Sequence, residues 1–216
     1  MSRWRGLYAV TPVHAPSGRP LAEQVAEAIA GGARVVQYRE KAGDSERRAR
    51  EATALLLVCR SHGVPLIIND DVELALRIGA DGVHLGREDP DPAEARQRLG
   101  DRAIIGVSCY DQMERARWAQ AVGAQYVAFG RFFPSMTKPQ AVSASPELLR
   151  QARHELSIPL VAIGGITPEN GAALIAAGAD MLAVVQGVFA RPDIRSAAQA
   201  FTRLFPTETA ANDPIR

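Results

Sequence analysis

The stretch IPLVAIGGITPENGAALIAAGADMLAVV, residues 158–185, reads as one complete structural unit. It opens on an apolar run, IPLVAIGG, and closes on another, GADMLAVV. Neither run alternates polar with apolar residues, so each suits a strand covered on both faces. Between them TPENGAALIAAGA carries helical periodicity. Strand, helix and buried strand in that order make a parallel crossover unit.

The same grammar recurs along the chain. GLYAVT, GARVVQYRE, GVPLIIND, GADGVHLG, AIIGVS and GAQYVAFG add six strands to the two already read. Helical segments separate them: LAEQVAEAIAGG stops at glycines, and DSERRAREATALLLVCRSHG starts at an Asp-Ser cap. DVELALRIGA, DPAEARQRLG, DQMERARWAQAVG, SPELLRQARHEL and a final DIRSAAQAFTRLF complete the set. Eight alternations predict a single (β/α)8 TIM barrel of the α/β class; an open doubly wound sheet is the competing architecture. Residues 1–206 read as one barrel domain and 207–216 as a frayed tail.

Composition narrows the function classes. A net charge of +1 gives no reason to expect nucleic acid or an acidic membrane as partner. Two cysteines, Cys59 and Cys109, make neither a disulfide framework nor a metal-ligand pair, which fits a reducing compartment. The apolar run in MSRWRGLYAV is too short for a signal peptide, so the expected location is the cytoplasm. Exposed apolar helix faces leave room for a homodimer.

In a barrel of this kind ligands gather at the carboxyl ends of the strands. Strand two ends in Gln37, Arg39 and Lys41 at alternate positions, suited to a phosphate or pyrophosphate, or else to a salt-bridged strand end with Glu40. Asn69, Asp70 and Asp89 follow strands three and four. Carboxylates on neighbouring loops suit Mg²⁺, and they equally suit solvated helix caps. Asp71 fits a cap, and Asp81, ahead of strand four, belongs at the opposite face. Ser108 ends strand five as a hydrogen-bonding candidate. Cys109 has no histidine placed to activate it, and His84 reads as a barrel histidine satisfied by its neighbours. Glycines after strand seven and the loop after strand eight suit a backbone cradle for an anion, or simply tight turns. The loop GRFFPSMTK, residues 130–138, brings Ser135, Thr137 and Lys138 between the two anion sites.

Taken in order, YAVT, QYREK, IIND, GADGVHLGRED, GVS, GRFFPSMTK and AIGGI resemble the landmarks of the thiamine phosphate synthases, from Leu7 to about Phe205. The resemblance implies the joining of a pyrimidine-methyl pyrophosphate to a thiazole phosphate, with release of pyrophosphate. It implies that Gln37, Tyr38, Arg39, Glu40, Lys41, Asn69, Ser108 and Lys138 hold the pyrimidine pyrophosphate, with Arg39, Lys41, Ser108 and Lys138 catalytic. Asp70 and Asp89 are implied as Mg²⁺ ligands. Ser135, Met136, Thr137, Gly165, Val185 and Gln186 are implied at the thiazole phosphate. Two positions depart from the family's usual pattern: Ser135 stands where a threonine is common, and Gln186 where a serine is common. The related thiazole tautomerases rely on a histidine near the end of strand five, where this chain has Ser108-Cys109-Tyr110. A barrel that binds thiamine precursors as a sensor, without turning them over, is the remaining alternative.

Overall fold

The computed structural model describes residues 4–13, 18–41, 44–134 and 143–205. Eight parallel strands close into a barrel in chain order: β1 (Gly6–Val10), β2 (Ala33–Tyr38), β3 (Leu66–Asn69), β4 (Gly82–Leu85), β5 (Ile104–Tyr110), β6 (Tyr126–Phe129), β7 (Leu160–Ile163) and β8 (Met181–Val184). β1 pairs with both β2 and β8, so the described sheet has no edge, and the open-sheet alternative falls. Around it lie α1 (Leu21–Ala30), α2 (Ser45–Ser61), α3 (Val72–Ile78), α4 (Pro92–Leu99), α5 (Met113–Ala121), α6 (Pro146–Glu155) and α7 (Pro168–Ala176). After β8 come a four-residue helix, α8 (Gln186–Phe189), and then α9 (Ile194–Thr202).

Successive side chains on a strand face opposite ways, and this divides the core in two. On β1, Leu7 and Ala9 pack outward against the helices, while Tyr8 and Val10 pack inward with Val35, Ile67, Tyr126, Val161 and Met181. Both layers are largely apolar, which explains strands without alternation of polar and apolar residues. Truncating an outward residue such as the fully buried Leu160 to alanine costs about 2–5 kcal/mol.

The Gly-Ala signal before the strands has a specific purpose at three of them. Gly79, Gly123 and Gly178 take φ of 69°, 86° and 117° to end a helix and turn the chain. Two residues later Asp81, Gln125 and Asp180 each bond the preceding strand twice. Their N–H groups donate to the carbonyls of Leu66, Ile105 and Leu160 at 3.1, 2.8 and 2.8 Å. Their side-chain oxygens accept from the N–H groups of those same residues at 2.8, 2.7 and 2.8 Å. Each clamp satisfies a strand-end N–H that has no ladder partner. Asp81 therefore lies at the amino end of the barrel, opposite the mouth.

Candidate active site

At the carboxyl ends of the strands a cavity of about 700 Å³ opens, within the range of small-molecule sites. Gln37 and Arg39 line one side, Gly164, Gly165 and Gln186 the other, with Ser108 between them.

The β2 side is built by a threonine. Thr11, fully buried, donates its N–H to the Gln37 carbonyl at 2.9 Å and accepts the Arg39 N–H on its hydroxyl at 2.9 Å. That holds β2 in register past its last strand residue and aims Arg39 at the cavity. Among the described residues no carboxylate pairs with the Arg39 guanidinium, so its charge is available to an anion. Lys41 instead reaches over β3, its ammonium 2.8 Å from Asp70 Oδ2. Tyr38 and Glu40 point their side chains elsewhere. The Tyr38 hydroxyl donates to Glu51 on α2 at 2.7 Å, and the Glu40 carboxylate pairs with Arg47 at 3.0 Å. Neither side chain lines the main cavity, because inward and outward positions alternate along β2.

Asp70 and Asp89 meet at the mouth. Asp70 sits at φ 64°, a left-handed conformation that a non-glycine residue takes at a cost of about 1 kcal/mol or more. Its N–H donates to the His84 carbonyl at 2.9 Å, extending the pairing of β3 with β4. Asp89 Oδ2 accepts the Gly86 N–H at 2.6 Å, which folds the loop after β4 back over the mouth. The two carboxyls lie near enough for each to move the other's ionisation. Burial pushes Asp89 up, and the hydrogen bond with Asp70 pushes it further. Burial also opposes ionisation of Asp70, but hydrogen bonds from Lys41 and Asp89 outweigh it and the net shift is downward. Asp71, next in sequence, is a helix cap: its carboxylate accepts the Leu74 N–H at 2.8 Å and pairs with Arg48.

On the other side of the cavity, the glycines after β7 have a structural reason to be glycines. The segment 131–134 crosses the end of β7, donating from Phe132 N to Ile163 O and from Phe133 N to Gly164 O at 3.2 and 3.1 Å. A Cβ on Gly164 would lie 2.3 Å from Arg131 Cβ, and one on Gly165 2.4 Å from Pro134 O. At Val185 the chain leaves β8 and enters α8 at Gln186, a helix too short to leave a periodic trace in sequence. Ser135, Met136, Thr137 and Lys138 lie outside the described residues.

Across the cavity floor runs a buried polar file absent from the sequence expectations. Gln37 Nε2 donates to the Tyr8 hydroxyl at 2.8 Å, and the Tyr8 and Tyr126 hydroxyls lie 2.7 Å apart. Tyr126 meets His84 Nδ1 at 3.0 Å, and His84 Nε2 meets Ser108 Oγ at 2.8 Å. His84 is stacked on the Tyr126 ring. Ser108 stands at a register shift between β5 and β6, and Arg115 fixes its carbonyl at 2.7 Å. Cys109, the next residue, is fully buried with its thiol pushed up to about 12, chiefly by burial, and is inert.

Comparison with known proteins now bears on this geometry. The profile of the thiamine monophosphate synthases matches residues 7–188. The chain belongs to the thiamine monophosphate synthase family. It is 51% identical over 203 residues to the thiamine-phosphate synthase of Nitrosococcus oceani, covering 94% of each chain. It is 54% identical to that of Chromobacterium violaceum, covering 94% of this chain and 97% of the relative. Among solved structures, thiamine phosphate pyrophosphorylase from Pyrococcus furiosus superposes with a TM-score of 0.83 at 31% identity, over 94% of this chain and 95% of that one. The chain is accordingly an enzyme of the transferase class.

Within this synthase fold the described residues bring Gln37, Arg39, Asn69, Ser108, Gly165, Val185 and Gln186 to one cavity, while Lys41 and Asp70 line a neighbouring pocket that shares Asn69, with Asp89 beside Asp70. Two further arginines, Arg131 and Arg191, line the same cavity. Both follow strand-end loops, at β6 and β8, and that position was the signal available in sequence. Among the described residues no helix is long and apolar enough to cross a membrane.

Proposed function

We propose that the enzyme condenses 4-amino-2-methyl-5-(diphosphooxymethyl)pyrimidine with 4-methyl-5-(2-phosphoethyl)thiazole, or its carboxylated form, giving thiamine phosphate and pyrophosphate. One observation carries this reading. Arg39, with Gln37, Asn69 and Ser108, faces a glycine-lined edge at Gly164 and Gly165 across one 700 Å³ cavity, and a neighbouring pocket that shares Asn69 holds Lys41 and Asp70, so two phosphorylated heterocycles can meet there. In the pyrimidine the methylene C–O bond breaks and its electron pair leaves with pyrophosphate. The ring amino group stabilises the resulting cation, and the thiazole nitrogen lone pair forms the new C–N bond. No proton transfer is required in bond making, so the lack of an activated nucleophile among the described residues fits.

In this mechanism Arg39 and Lys41, joined by Lys138 from outside the described residues, neutralise the charge growing on pyrophosphate. Gln37, Asn69 and Ser108 orient the pyrimidine pyrophosphate. Gly165, Val185 and Gln186, with Ser135, Met136 and Thr137, receive the thiazole phosphate through hydroxyl and backbone N–H groups. At Gln186 that means the backbone, so the usual serine hydroxyl is dispensable. The apolar part of the cavity wall, Val10, Ala128, Val161 and Ile163 among it, limits the water beside the cation.

The Asp70–Asp89 pair fits Mg²⁺. Two neighbouring carboxyls of which one resists ionisation are the donor set that a divalent cation would favour, and Asp70 and Asp89 would hold it through their oxygens. Among the described residues there is no third acidic or histidine ligand beside them, and Mg²⁺ commonly fills its shell with water and substrate phosphate. When bound, the ion supplies Lewis-acid stabilisation of the leaving pyrophosphate.

The test is incubation of the protein with both precursors and Mg²⁺, assaying pyrophosphate and thiamine phosphate. Stoichiometric appearance of both is expected. Binding of both precursors without pyrophosphate release would overturn the reading in favour of a sensor.

A further inference from the structure

The file Gln37–Tyr8–Tyr126–His84–Ser108 joins five strands across the barrel, and with the Gln37 amide nitrogen turned to Tyr8 its hydrogens admit one fully satisfied order. Tyr8 and Tyr126 are 1% and 2% exposed, so neither hydroxyl has water to turn to. Burial raises both phenols above the ordinary tyrosine value, so each keeps one hydrogen to place. The Gln37 amide nitrogen can only donate, which makes the Tyr8 oxygen an acceptor. Tyr8 then donates to Tyr126, and Tyr126 to His84 Nδ1. His84 is left with its hydrogen on Nε2, which donates to Ser108 Oγ. The serine hydrogen is thereby released from the file. In the reverse order His84 Nδ1–H donates to Tyr126 and Tyr126 to Tyr8. The Tyr8 hydrogen is then orphaned between two donors, and the Ser108 hydrogen is consumed by His84 Nε2.

Resting on the reaction proposed above, we propose that this file fixes the Ser108 hydroxyl as a donor into the cavity. Tyr126 and His84 are positioning residues that act on the pyrimidine pyrophosphate through Ser108. The barrel is built to keep the file in place. Gly106 on β5 leaves room for the Tyr126 ring, since a Cβ there would stand 1.9 Å from Tyr126 Cζ. Ser108 lines the cavity where an acceptor oxygen of a pyrophosphate or a ring nitrogen would meet it.

The experiment has two arms on the full chain. In the first, ¹⁵N-histidine NMR without substrate reads the ring tautomers, with a His84→Asn variant to assign the His84 signals among those of the four histidines. His84 is expected as the neutral Nε2–H form. Tyr126→Phe, which keeps the ring, removes the donor to Nδ1 and should move that nitrogen's resonance; Tyr8→Phe leaves the Tyr126 hydroxyl only His84 Nδ1 as acceptor and should keep the Nε2–H form. An Nδ1–H histidine in the wild type or in Tyr8→Phe, or an unchanged Nδ1 resonance in Tyr126→Phe, overturns the proposal. In the second arm, Tyr126→Phe should lower kcat on the order of tenfold in the wild-type background, as loss of one oriented hydrogen bond does. In a Ser108→Ala background the same change should have almost no effect. Equal losses in both backgrounds would mean that Tyr126 acts structurally and overturn the positioning role. Absence of turnover in the wild type strikes the proposed reaction alone, and the tautomer arm then decides the file by itself.

Discussion

Aspartates occupy both ends of this barrel and live under opposite constraints. At the amino end Asp81 and Asp180 sit on regular backbone and give their carboxylates to strand N–H groups at 2.8 Å. At the carboxyl end Asp70 takes a left-handed backbone, and its carboxyl lies between the Lys41 ammonium at 2.8 Å and a second carboxyl, that of Asp89. A chain selected for stability alone would not keep two acids in contact, and this one keeps them beside a cavity. The amino end is built to hold, while the carboxyl end stores strain that a ligand can relieve.

The sharpest way to break that comparison is to exchange the expected consequences of mutation. Asp70→Asn keeps a residue type tolerant of the left-handed region, so its melting temperature should stay within a few degrees. Its turnover should fall by on the order of a hundredfold, as should that of Lys138→Ala, the magnitude for removing a preorganised charge stabiliser. Steady-state kinetics beside thermal unfolding reads both quantities. Near-normal turnover in either variant removes that residue from the proposed machinery.

Gly165→Ala tests a position where the two demands coincide. At φ 62° the new methyl would be strained, and it would also meet Pro134 O at 2.4 Å and Phe133 Cβ at 2.8 Å. The sum of backbone strain and overpacking is about 2–4 kcal/mol. Because residues 131–134 lead in sequence to Thr137 and Lys138, KM for the thiazole phosphate should rise as well. Denaturant unfolding and substrate titration measure the two effects. A stable variant with unchanged KM would show that the crossing segment yields freely.

Asp81→Ala is the counterpart at the amino end. It leaves the Leu66 N–H without its acceptor, at a cost of about 1–3 kcal/mol, and turnover per folded molecule should be unchanged. At roughly 2–4 °C per kcal/mol for a chain of this size, the melting temperature should fall visibly. A variant that melts normally would mean that water replaces the clamp.

How much of this was legible in the sequence follows from the range of each interaction. The barrel was, because the clamps repeat locally: a glycine turns the chain, and an acid or amide two residues later bonds the strand before it. Asp81 and Asp70 were separable for the same reason, one preceding its strand and the other following. The outward direction of Tyr38 was hidden by its motif, since QYREK reads as one cluster although alternate side chains part company. The file through Tyr8 and Tyr126 was invisible, because its central contact spans 118 positions and a tyrosine within an apolar run looks like ordinary core. His84 was correctly placed in the barrel, but its partners could be named only once β5 and β6 were closed around it. The helix α8 is a single turn and gives no period to detect.

The smallest effect tests whether the acidic pair is truly costly before any ligand binds. Asp89 carries a raised pKa, so the folded protein holds its proton more tightly than the unfolded chain does. Stability from that proton is present in full below the unfolded value near 3.8 and is lost as pH rises through the raised folded value. Asp89→Asn keeps a hydrogen-bonding side chain without the charge, so it should match the wild type in acid and become the more stable protein as pH rises. The gain should stay under about 1 kcal/mol, since a partly exposed carboxyl is screened by water. Urea unfolding at pH 3.5 and pH 7, with chelator to remove divalent ions, measures the difference. Adding Mg²⁺ at pH 7 should then stabilise the wild type and not the variant, reversing their order; a Mg²⁺ response equal in both would leave the mouth acids with no claim on the ion.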